Sequence, residues 1–281
     1  MGQIAFWSVG HGTGVTSSVA AIASVIGSDY RIRTLVSQPQ GEERSLERGF
    51  MRSINTYSHH LAGEAGTGID ALVRLARSGK LERETVKNNA LLLEPGRLDL
   101  LSGSDRMNRL QFENAGALIG QVYEGARSYY DCILLDVRSG TDSQTAREML
   151  AGADLVVICL NQNAGVLERY FDRSGWPREL EGKKQLLLFS GYDPHSKYKA
   201  ANILRKYGRR ETVLTVPYNT DFRDAANDGD IKGFVSRSRG IDRKHRNYPF
   251  MAEVRRTAEK LLEEIGVNTR LKHTDIEKGA S

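Results

Sequence analysis

The chain has 281 residues, 40% hydrophobic and 27% charged, an ordinary globular composition with enough length for one sizeable core. A net charge of +5 and a pI near 9.1 are compatible with an anionic partner without requiring one. The apolar runs are strand-sized, far short of the ~20 residues of a spanning helix, and no basic stretch leads into an apolar one at the start, so neither a transmembrane helix nor a signal peptide is expected and the expected location is cytoplasmic.

In chain order, "IAFWSV" (4–9) reads as a buried strand and "SSVAAIASVIG" (17–27) has helical spacing. "RIRTLVSQ" (31–38) is a second strand. "GIDALVRLARSG" (68–79) is an amphipathic helix with Ile69, Leu72, Val73, Leu75 and Ala76 on one side. "ALLLEPG" and "LDLLSGS" are short strands split by a Pro-Gly turn. "FENAGALIGQVYEGARS" (112–128) is helical and "DCILLDV" (131–137) a core strand. A helix over 143–153, a strand over 154–161, a strand over 184–193, a helix over 196–208 and a strand over 211–219 follow. A last helix runs from Phe250 to Ile265. Continuously apolar strands alternating with helices indicate an α/β fold, a doubly wound, mostly parallel sheet covered on both faces. A single domain over 1–266 is expected, followed by a polar, frayed tail over 267–281. Cys132 and Cys159 lie inside apolar runs and read as buried strand thiols.

The first strand and helix flank "GHGTGVTSS". Gly10, Gly12 and Gly14 allow successive backbone N–H groups to curve around phosphate oxygens at a helix N-terminus. Thr16 and Ser17 stand where a phosphate loop keeps its Mg²⁺ and phosphate hydroxyls, but Val15 stands where its lysine belongs. The plainer alternative is a glycine-rich turn with Thr16 or Ser17 capping the helix.

The ordered set of segments resembles the ParA/MinD family of deviant Walker A ATPases, from about Gln3 to Ile265. In the family's loop, lysine-Gly-Gly-x-Gly-lysine-Thr-Thr, both lysines are replaced here, by Gly10 and Val15. In "TLVSQPQG", Pro39, Gln40 and Gly41 are kept, while Val36 and Gln38 stand for two family aspartates. "YYDCILLDVRSG", with Asp136 at its strand end, resembles the family's Walker B strand, and "TVPYNTDFRDAANDG" resembles its late base-contacting element. The resemblance implies a P-loop NTPase-like fold that binds ATP or ADP with Mg²⁺. The cradle would be Gly10, His11, Gly12, Thr13, Gly14, Val15, Thr16 and Ser17. Pro217, Tyr218 and Asn219 would meet the base, and Thr16 and Asp136 would serve the metal. It also implies a homodimer. With the loop lysines and switch aspartates absent, efficient hydrolysis is not expected, because phosphoryl transfer depends on positioning and electrostatic stabilisation.

Each of these residues has a plainer reading. Asp136 also fits a turn carboxylate, Gln38 and His11 exposed loop residues, and Pro217, Tyr218 and Asn219 a strand-to-helix turn. His59 and His60 read as surface histidines, without carboxylate or cysteine at ligand spacing. The densest basic stretch, 236–256, holds Arg237, Arg239, Arg243, Lys244, Arg246, Arg255 and Arg256. It fits non-specific DNA, anionic lipid in a peripheral membrane association, or a solvated face. Met251, Val254, Ala258, Leu261, Leu262 and Ile265 form one stripe of the last helix, expected to dock on the core. Within the family, lysine-poor loops after an aromatic "AFWS" strand look most like the TadZ-type members of Tad/Flp pilus systems. That likeness implies an assembly scaffold that binds protein partners of the pilus or secretion machinery. A DNA-binding partition protein and a true ATPase with unconventional residues are the alternatives.

Overall fold

A computed structural model describes residues 1–40, 45–57 and 67–270. Gly41, His59, His60 and the tail beyond residue 270 therefore lie outside the described residues. The strands are β1 (Gly2–Trp7), β2 (Thr34–Ser37), β3 (Leu91–Glu94), β4 (Leu98–Leu101), β5 (Cys132–Asp136), β6 (Leu155–Leu160), β7 (Gln185–Tyr192) and β8 (Val213–Pro217). The helices begin with α1 (Val15–Asp29), α2 (Ser45–Gly49), α3 (Met51–Tyr57), α4 (Gly68–Arg77), α5 (Thr85–Asn88), α6 (Arg109–Asn114) and α7 (Gly116–Ala126). They continue with α8 (Gln144–Gly152), α9 (Ala164–Phe171), α10 (Ala200–Lys206), α11 (Thr220–Asn227), α12 (Ile231–Arg237) and α13 (Tyr248–Glu264).

The strands form one sheet in the order β3-β4-β2-β5-β1-β6-β7-β8. Every neighbouring pair is parallel except β3 with β4, the two short strands joined by the Pro-Gly turn. The central strands β1, β2, β5 and β6 are buried at every position, as runs covered on both faces must be. Alternate residues feed two cores: Ile4, Phe6, Leu134 and Val157 on one face, Ala5, Trp7, Leu135 and Ile158 on the other. Cys132 and Cys159 are fully buried in the first, and burial pushes the Cys132 thiol up to about 12.

Register places the carboxyl ends of the central strands side by side. Phe6 pairs with Asp136 and Ser37 with Leu135, so the residues after β1 and β2 meet the end of β5. The chain passes from β1 to β2 on one side of the β5/β1 pair and later to β6 on the other, and such a switch opens a crevice at the carboxyl edge.

Two helices depart from their expected spans for local reasons. The helix expected over 112–128 is two, meeting at Ala115, and it starts earlier because Asn108 and Gln111 form a reciprocal capping box. The helix expected over 196–208 is confined to α10. Upstream, Asp193 Oδ1 accepts from the His195 N–H and Ser196 Oγ from the Tyr198 N–H, side-chain bonds that compete with helix. Helix α13 docks as expected: Met251, Val254, Ala258, Leu261 and Leu262 are fully buried in the core that also holds α1 residues.

Candidate functional site

The loop between β1 and α1 reaches its shape through glycine. Gly12 (φ 73°) and Gly14 (φ 81°) are left-handed, and Gly14 is also the N-cap of α1. No side chain caps this helix, so the capping role considered for Thr16 and Ser17 is not what these hydroxyls do. With no cap, the first amides of α1 stay free of a side-chain acceptor, as an anion site needs. The Asn161 side chain, just past β6, donates to the Gly12 carbonyl at 3.3 Å and steadies the loop tip. Ser18 Oγ donates to Ser190 Oγ of β7 at 2.8 Å and fixes the first turn of the helix.

Thr16, Gln38 and Asp136 come together from three elements. Thr16 Oγ1 donates to Asp136 Oδ2 at 2.6 Å, and Gln38 Nε2 donates to the same oxygen at 2.9 Å. Gln38 Oε1 accepts the Leu46 N–H at 3.2 Å, so the amide is clamped at both ends. It is half-buried, not the exposed loop amide its sequence context suggests, because register brings it beside the end of β5. Asp136 is 3% exposed, and burial pushes its carboxyl up to about 7 despite the two donors, which act the other way. It is therefore no solvated turn carboxylate.

These groups face a cavity of about 650 Å³ lined by His11 to Ser17, Gln38, Gln40 and the segment Asp136 to Ser139. His11, Gly12 and Ser17 are exposed on its rim. Thr13 is buried, its hydroxyl 3.5 Å from the Gly10 carbonyl. Val15, at the lysine position, is 7% exposed and packed in the core, so it adds no charge. Gly10 does not line the cavity; a side chain there would run into the Arg169 guanidinium of α9. Pro217, Tyr218 and Asn219 do not line it either. Tyr218 is 53% exposed, beneath the Arg223 guanidinium at 5.6 Å, and the Asn219 side chain caps α11 through the Phe222 N–H.

One arginine at the site, and another packed against the loop at Gly10, are not singled out by the sequence. Arg138 lines the cavity two residues after Asp136, a position readable from the strand end. Arg169 lies 159 residues from Gly10 in sequence, and nothing local pointed to it.

The basic segment is largely neutralised by its own surroundings. Arg237 pairs with Asp230, Arg239 and Arg255 with Asp29, Arg246 with Asp221 and Arg256 with Glu253. Sequence density overstated this surface because Asp29 of α1 and Asp221 of α11 fold onto it, while Asp230 and Glu253 lie close in sequence.

The donor set fits a magnesium nucleotide. Mg²⁺ keeps several waters and takes one or two carboxylates plus phosphate oxygens, and a threonine hydroxyl beside a strand-end carboxylate supplies the protein's share. Among the described residues no group of three or more His, Cys, Asp or Glu forms a self-sufficient metal site. No helix among them is long and apolar enough to cross a membrane.

No protein-family model matches the chain, and no curated protein matches it either. Solved structures do. A ParA family ATPase from Chlorobium tepidum superposes with a TM-score of 0.70 at 14% identity, over 92% of this chain and 98% of that one. MinD from Pyrococcus horikoshii in complex with Mg-ADP gives 0.66 at 14% identity, over 94% and 97%. A Borrelia burgdorferi protein assigned to plasmid partition, bound to AMPPNP, gives 0.67 at 14% identity, over 94% and 99%. The chain thus has the P-loop fold of the ParA/MinD ATPases, retained at an identity where sequence similarity alone carries little.

Proposed function

We propose that this chain binds a magnesium nucleotide in the cavity above β1 and β5, turns it over poorly, and works as a homodimeric positioning and assembly scaffold. The observation that carries the reading is the Thr16–Asp136–Gln38 cluster facing a 650 Å³ cavity at the glycine loop. The glycine loop would present backbone N–H groups to the phosphates, and Thr16 and Asp136 would hold Mg²⁺, which supplies charge neutralisation when bound. Arg138 brings a cation to the same cavity from the loop after β5. Losing one charge-assisted lysine contact costs about 1.5–3 kcal/mol, which weakens binding without abolishing it. Losing transition-state contacts costs roughly 10²–10³ in rate for each group, so turnover suffers more than affinity. Partner proteins of a Tad/Flp-type pilus or secretion system are the partners this reading favours, on the likeness of the lysine-free loop to that branch. A DNA-binding partition role is consistent with the fold of the Borrelia protein, but acids lie beside most arginines of 236–256, leaving Arg243 and Lys244 as its exposed cations without a carboxylate partner among the described residues.

The test is titration calorimetry of Mg-ATP into the wild type and Gly12→Arg. Position 12 has open space around it, but its left-handed φ of 73° makes any side chain cost about 1–2 kcal/mol, so circular dichroism first checks that the variant, whose side chain obstructs the cradle, is folded. Micromolar binding by the wild type and none by the variant is expected. Absence of wild-type binding at millimolar nucleotide overturns the reading.

A further inference from the structure

We infer that the face built from α9, α10 and the loop before α10 docks an acidic peptide carrying one apolar anchor residue. From Asp193 to Arg210 the chain holds six cations, Lys197, Lys199, Arg205, Lys206, Arg209 and Arg210, and a single acid, Asp193. Among the described residues only Arg209 of these has a carboxylate within 4.0 Å, that of Glu211. Lys197, Lys199, Arg205, Lys206 and Arg210 are all exposed. This is the reverse of 236–256, where most arginines are matched by acids, so this stretch carries a local excess of positive charge.

Charge alone would suit nucleic acid equally well. What favours a peptide is the hollow beside the charges, about 250 Å³, lined by Ala164 and Leu167 of α9, Ile203 of α10, Tyr198 and Tyr207, with Lys197 and Lys206 at its sides. A nucleic-acid duplex presents its phosphate backbone with the bases stacked inside and has nothing to place in an apolar hollow, whereas a Leu or Phe side chain gains by burying its apolar surface there. Lys197 lies over the Tyr198 ring at 5.4 Å and Lys206 over the Tyr207 ring at 5.0 Å, so both ammonium groups sit at the aromatic wall, where carboxylates flanking an anchor would arrive.

The surface is also pre-organised. Gln162 Nε2 donates to the Asp193 and Tyr198 carbonyls at 3.0 and 2.9 Å, and Gln162 Oε1 accepts the Asp193 N–H at 2.8 Å. Phe171 stacks on Tyr207 with ring centroids 4.0 Å apart. The loop that presents Lys197 and Tyr198 is thus held in place, which lowers the ordering cost of binding.

The hollow shares no lining residue with the phosphate cavity, so the experiment is run without nucleotide and its failure leaves the nucleotide reading standing. Fluorescein-labelled acidic peptides, each carrying one Leu, Phe or Trp among Asp and Glu, are titrated by anisotropy with the full chain. The same peptides with the anchor changed to Ser, and a random-sequence DNA duplex, serve as comparisons. Anchor-dependent binding is expected. It should fall roughly tenfold in Lys197→Glu/Lys206→Glu through charge reversal. It should fall similarly in Ala164→Trp, which fills the hollow from an exposed position; circular dichroism checks that both variants fold. Equal binding of the Ser peptides, preference for the duplex with loss in the same variants, or no binding by any anchored peptide at millimolar concentration each overturns the assignment.

Discussion

Replacing Asp136 by Asn should stabilise the protein above pH 7 and leave its stability unchanged near pH 4. In the unfolded chain this carboxyl titrates at its ordinary 3.8, and in the fold burial holds it near 7. Between those values the folded state binds the extra proton. Stability is therefore fully present below pH 4, is lost as pH rises towards 7, and is level above that. Moving a carboxyl from 3.8 to about 7 corresponds to about 4 kcal/mol by proton linkage. With Asp136 only 3% exposed, solvent screening offers little relief. An Asn oxygen can accept from Thr16 and Gln38 as the carboxylate does, so the variant keeps the network and sheds the charge. The assay is urea unfolding of both proteins from pH 4 to 8 without nucleotide or Mg²⁺, and the difference curve cancels the other titrating groups. A flat difference, or an Asn variant less stable at pH 8, would refute the reasoning. On the proposed function, the same variant should also lose Mg²⁺-dependent nucleotide affinity in titration calorimetry.

Two further outcomes follow from the geometry. Gly14→Ala should lower stability by about 2 kcal/mol or more in thermal denaturation, because the left-handed φ costs about 1–2 kcal/mol for any side chain and the new β-carbon would stand 2.9 Å from Ser190 Cβ. Adding Ser190→Gly should recover the steric part only, and an unchanged midpoint in the single variant would count against the strained loop. Asp29→Asn should destabilise by about 1–2 kcal/mol in denaturant titration, since this 9%-exposed carboxylate accepts Arg255 Nε at 2.7 Å and faces Arg239 at 3.7 Å. A neutral result would mean that the arginines of the basic segment are not held by it.

The alternation of continuous apolar strands with helical periods determined the fold class, because strands covered on both faces can carry no polar alternation, and β1, β5 and β6 show none. Local chemistry likewise marked the loop: of its glycines, those at positions 12 and 14 adopt a left-handed backbone. Thr16 and Asp136 were named together as metal residues through family resemblance, and the structure sets the Thr16 hydroxyl 2.6 Å from the Asp136 carboxylate. Only tertiary structure decided the rest. Gln38 reads as loop until the β2–β5 register sets it against Asp136. Arg169 carries no signal in the sequence, and only the packing of α9 sets its guanidinium against Gly10. The arginines of 236–256 read as a free basic patch until Asp29 and Asp221 fold onto them, while Lys197, Lys199, Arg205, Lys206 and Arg210 stay exposed without a carboxylate partner among the described residues. A sequence counts charges along one dimension, whereas pairing and burial depend on which distant segments the sheet order brings within a few ångströms.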